Sequence, residues 1–159
     1  MKQRESDELE VTVIRSMLQF SEVFMDAVSL NALEDIFQVP EHRTVYREAM
    51  DYFYDAGMAP TMECLFEKLI LSGKYPGLRN FFLEELALPG VSINAVNMLK
   101  LLTERKIESV IMNYIKSREL KGLDFAVGLQ EHIMQTMTKY IDGCIREIRN
   151  AETGDEVMQ

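Results

Sequence analysis

Breakers are scarce in this sequence: four prolines and eight glycines punctuate 159 residues. The segments between them are long, which favours helices over the short, turn-separated strands of a β fold. Within the segments, apolar residues recur three and four positions apart, as on a helix with one buried face. Apolar residues make up 47% of the chain, enough for one domain with a real core. The chain is therefore predicted to be all-α.

Local signals place the helices. Asp7 with Glu10 three residues on has capping-box spacing, so a first helix is expected from about Asp7, with Leu9, Val13, Ile14, Met17 and Leu18 inward. A second is expected from Ser21 to about Leu33, then a connection through Asp35–Val39. Pro40 suits the first turn of a third helix, which Gly57 ends. Thr61 caps a fourth through Leu71, closed by Gly73, and Leu78–Leu88 form a fifth before the Pro89-Gly90 turn.

Two longer helices follow. Ser92 opens one that ends near Lys121 and Gly122, and Asp124 opens another to about Asn150. Joined by a short turn, they are expected to form an antiparallel helical hairpin. The predicted organisation is a compact helical globular subdomain over 7–90, a long hairpin over 91–150, and a flexible tail or linker start over 151–159.

The charge is uneven. Net charge is −9 overall, with fourteen acidic against three basic residues over 5–67 and six basic against three acidic over 100–121. Affinity for nucleic acid comes largely from Lys and Arg on phosphates, so direct binding is expected to be weak or absent. The acidic part is either an ordinary solvated surface or a steering field for a basic partner. Cys64 and Cys144 lie outside any C-x-x-C pair and are expected to be buried free thiols. The N-terminal residues lack an apolar signal region, and no stretch reaches the ~20 apolar residues of a membrane span. A cytoplasmic protein without membrane contact is expected.

Recognisable catalytic patterns are missing. The sequence has no phosphate-binding G-x-x-x-x-G-K-[ST], no G-x-G-x-x-G, no H-E-x-x-H and no G-x-S-x-G. His42 and His132 are far apart and lack companion ligands. His42 has the chemistry of a general base, but a surface or helix-packing histidine is the commoner role. Adjacent acidic pairs such as Glu84-Glu85 point in different directions on a helix and make no dyad. No catalytic residue, cofactor or metal is expected. The eleven methionines read chiefly as core filling, with some suited to an adaptable docking surface.

The last long helix carries more apolar surface than one neighbour needs. Val127, Met134, Ile141 and Ile148 recur every seven residues, with Met137 and Cys144 between them. A second line, Phe125, Leu129, Ile133 and Tyr140, lies alongside. Either this helix is sandwiched inside the monomer or it pairs with another chain. One hairpin can hardly bury both lines, so self-association into dimers or higher species is expected through Val127, Met134, Met137, Ile141, Cys144 and Ile148.

The order of short motifs resembles the N-terminal domain of DnaB-type replicative DNA helicases. Leu9–Leu18, LEVTVIRSML, looks like that family's opening helix at Glu10, Ile14 and Leu18, but Val11 stands for its Gln and Arg15 for its Gly. Phe37 followed by His42-Arg43 and Tyr46 is similar to its Phe-x-x-x-x-His-Arg-x-Ile-Phe segment. Gly57 through Thr61, then Leu65, Leu69 and Gly73, Phe82 through Leu86, and Pro89, Asn94, Leu102, Glu104 and Arg105 complete the run, which covers about residues 9–120. The resemblance implies a collar domain of a hexameric helicase, with hairpins paired between neighbours and a surface for primase or a helicase loader. It implies docking through the hairpin tip at Leu120, Leu123 and Phe125, unless these three only close the turn. The alternative is a stand-alone phage or mobile-element modulator or loader that binds a host helicase. The family's ATPase motor lies in a separate domain, and its motifs are missing here.

Overall fold

A computed structural model describes residues 2–117 and 123–158, with side chains over 7–117 and 124–141. The regular elements among the described residues are all helices, with no strand: α1 Lys2–Gln19, α2 Ser21–Leu30, α3 Pro40–Ala56, α4 Met62–Phe66, α5 Ala95–Ser117 and α6 Leu123–Met158. Short turns of 3-10 helix at Glu34–Ile36 and Pro76–Leu78 join them. Two π turns, Glu67–Leu71 running on from α4 and Phe81–Leu86, stand where single α-helices were expected.

Several boundaries follow the local chemistry. Thr61 Oγ1 accepts from Cys64 N across 3.1 Å, the expected cap of α4. Pro40 occupies the first turn of α3, and the chain leaves that helix at Gly57. Other boundaries moved. α1 begins at Lys2, so Asp7 is interior: the residues before it are good helix formers, and a capping signature permits a start without imposing one. α2 stops at Leu30 because Asn31 turns left-handed, with φ 53°. α6 runs to Met158, taking in most of the segment expected as a tail.

One buried cluster joins all the helices. Phe24, Phe37, Ile14, Leu65, Leu69 and Leu86 are sealed in it, and α5 adds Ala95, Leu99, Leu102 and Ile107. Tyr140 of α6 belongs to the same cluster, so residues of both expected subdomains share a core. Cys64 is half-buried rather than buried, and Cys144 lies outside the described side chains.

The turn after the second π turn is stitched to α1. Gln19 Nε2 donates to the carbonyls of Leu86 and Leu88 across 3.1 and 2.6 Å, and its Oε1 accepts from Gly90 N across 2.8 Å. Ser16 Oγ accepts from Val91 N across 2.9 Å. Gly90 lies so close to α1 that a Cβ there would stand 2.9 Å from Ser16 Cα. Arg15 also serves this contact: its Nε donates to the Glu85 carbonyl across 3.0 Å.

Candidate functional site

The two faces of α6 differ sharply. Its inward face meets α5: the rings of Tyr114 and His132 stack with centroids 4.2 Å apart. Gly128 leaves room for the Tyr114 hydroxyl, since a Cβ there would come within 2.7 Å of it. Further along, Tyr140 donates to Asp35 Oδ2 across 2.7 Å, and Lys139 Nζ lies 3.5 Å from the same oxygen. Burial, and then the bond to Asp35, holds the Tyr140 hydroxyl well above its ordinary pKa. These contacts hold α6 against α5 and against the Glu34–Ile36 turn; the residues 118–122 between the two helices lie outside the description.

The outward face is open and carries apolar side chains, with the polar Gln130 among them. Val127 is 47% exposed, Met134 64% and Met137 39%. At about 100° per residue these side chains and Ile141 span roughly 80° of the helix circumference. Ile141 lies within that arc but is half-buried, and lines a cavity of about 230 Å³ with Leu30, Thr103, Ile107 and Tyr140. The second line divides: Phe125 and Leu129 are half-buried and Tyr140 is buried, but Ile133 is 36% exposed. Of the residues expected at a self-association face, Val127, Met134, Met137 and Ile141 thus share one side of α6. Cys144 and Ile148 fall outside the described side chains, as do Leu120 and Leu123 of the expected docking set; Phe125, the third of that set, is half-buried.

His42 is 5% exposed and Glu10, beside it, is fully buried. Glu10 accepts from His42 Nδ1 across 3.0 Å and from the backbone N–H of Gln38 and Val39 across 3.0 and 3.2 Å. A carboxylate of α1 thereby completes the N-terminus of α3, where its charge also complements the helix dipole. Next to it, Arg43 donates to the Phe37 carbonyl across 3.1 Å, and the Phe37 and Tyr46 rings lie 4.9 Å apart. The segments around Glu10 and His42 that carry the family resemblance therefore meet at one junction. His42 is buried there, with its ring 5.3 Å from that of Phe81. The sequence held one sign of this junction: Glu10 is an acidic residue among inward-facing Val13, Ile14 and Met17.

Among the described residues, no group of three or more His, Cys, Asp or Glu side chains is arranged to hold a metal ion. No described helix is long and apolar enough to cross a membrane. No protein-family model matches the chain, and neither does a curated protein or a solved structure.

Proposed function

We propose that this chain is a non-catalytic, DnaB-like collar domain of DNA replication that self-associates through the outward face of α6 and docks a primase or helicase loader. The observation that carries the reading is the apolar outward arc of Val127, Met134 and Met137 on a helix whose opposite face is already occupied. Seven-residue spacing is what a second helix needs to pack along such a face. Fully burying a Val or Met side chain contributes about 1.5–3 kcal/mol; with 39–64% of each still exposed, covering the rest contributes about 1 kcal/mol each, and several together supply a driving force. The replicative assignment rests on the motif order and on the shared junction of Glu10, Phe37, His42 and Arg43. The acidity of the chain favours contacts with protein over free DNA. Docking at Leu120, Leu123 and Phe125 follows from the family resemblance.

The testing experiment replaces Val127 and Met134 with Asp together. Both side chains are exposed, so the helical circular-dichroism signal should persist while the protein becomes monomeric. A double variant with the parent's oligomeric state removes the basis of the reading.

A further inference from the structure

A second apolar surface lies on the far side of the sequence from α6. α4 and the two π turns enclose a groove of about 370 Å³, within the ~300–1,000 Å³ range of binding clefts. Its base is aromatic: Phe66 and Phe82 meet edge to face with centroids 5.9 Å apart, and Phe82 is buried. Its sides are Leu71, 66% exposed, and Leu83, 55% exposed, both large apolar side chains left in water. Scattered single exposures are ordinary, but apolar residues gathered around one concavity mark an interaction site.

Two further observations indicate what the groove receives. The charged residues lining it are Glu63 and Glu67, and no basic side chain lines it. The nearby Lys68 ammonium instead lies over the Tyr52 ring, 5.4 Å from its centroid. In addition, both π turns contribute lining residues: Glu67 and Leu71 from one, Phe82 and Leu83 from the other. The first is closed by Ser72 N donating to the Glu67 carbonyl across 3.1 Å, a five-residue step. Such turns are rare in helices and concentrate at functional sites.

We propose that this groove docks an amphipathic helix of a partner protein, one whose apolar stripe is flanked by Lys or Arg. The stripe enters between Leu71 and Leu83, and the basic flank meets Glu63 and Glu67, a helix-in-groove mode of recognition. The chain's own C-terminal segment is a poor occupant, because Glu152, Asp155 and Glu156 would add carboxylates to an acidic rim. This inference stands apart from self-association through α6, since the two surfaces share no residue.

The test titrates the full chain with two fluorescein-labelled helical peptides of about five turns each. Both carry leucines at i, i+3, i+4 and i+7, one with lysine flanks and the other with glutamate flanks. The lysine peptide should bind at least about tenfold tighter. Leu71→Ser with Leu83→Ser should weaken it by about tenfold or more without loss of helical signal, since both residues are exposed. Glu67→Lys with Glu63→Gln should abolish the preference between peptides. Equal binding of the two peptides, or parent-like binding by the folded serine variant, overturns the proposal. So does a change in the sedimentation of the chain alone in the serine variant, which would make a second copy the occupant. The Val127→Asp, Met134→Asp protein should still bind the lysine peptide, so failure of either surface is seen separately.

Discussion

The Glu10 carboxylate on α1 lies 3.0 Å from His42 Nδ1 on α3 and also holds the backbone amides of Gln38 and Val39. One fully buried side chain thus satisfies three donors and fixes how the first helix meets the third. Glu10→Ala should cost ~3–5 kcal/mol, because it strands these donors in the interior. His42→Ala should cost less, about 1–3 kcal/mol, since the backbone bonds to Glu10 remain. Urea unfolding measures both; a Glu10→Ala cost below about 0.5 kcal/mol would show that the junction is incidental.

Gly90 gives a steric test of the contact between its turn and α1. A Cβ at Gly90 meets the Ser16 backbone at 2.9 Å, whereas one at Gly77 meets nothing within 4 Å. Gly90→Ala should destabilise by about 1–3 kcal/mol, and Gly77→Ala should stay within about 0.5 kcal/mol of the parent. Equal thermal melting of the two variants would contradict the packing described.

The bond from Tyr140 to Asp35 predicts an alkaline weakness. The folded-state pKa of Tyr140 is raised above the ordinary value of 10.0, so folding favours the protonated phenol. Its contribution is complete below about pH 10 and is lost as pH rises through the raised folded value. Tyr140→Phe should lower stability near neutral pH by ~1 kcal/mol, the worth of one hydrogen bond, and flatten the decline above about pH 10. Stability profiles of parent and variant that run parallel from pH 8 to about pH 11 would remove this role.

Free nucleic acid should bind poorly. With a net charge of −9 and only the stretch containing Lys100, Arg105, Lys106 and Lys116 to meet phosphates, any binding to a single strand should fall steeply with salt. Fluorescence anisotropy at two ionic strengths decides it. Tight binding insensitive to salt would point to a nucleic-acid interface that the charge distribution does not provide.

Much of the helix order was legible because Pro40, Gly57, Thr61, Gly73 and Pro89 act locally, each through its own backbone or nearest neighbours. What depended on distant partners was not. Glu10 caps a helix that begins thirty residues later in the sequence, and nothing local marks it beyond its place in an apolar line. A run such as Phe81–Leu86 has the same apolar pattern in α and π geometry, so the pattern alone predicts an α-helix where the chain makes a π turn. Leu71 falls at the end of one expected helix and Leu83 inside another, and nothing local in the sequence marks the groove they flank. On α6 the two apolar lines were visible, but which one faced the body was decided by Tyr114 and Asp35, far away in sequence.

The central claim is that the outward face of α6 joins copies of this chain. Sedimentation velocity of the unaltered protein over a concentration series tests it most directly. The account predicts a dimer or larger species that dissociates on dilution and disappears when Val127 and Met134 are replaced by Asp. A parent protein that sediments as a monomer at every concentration would contradict it.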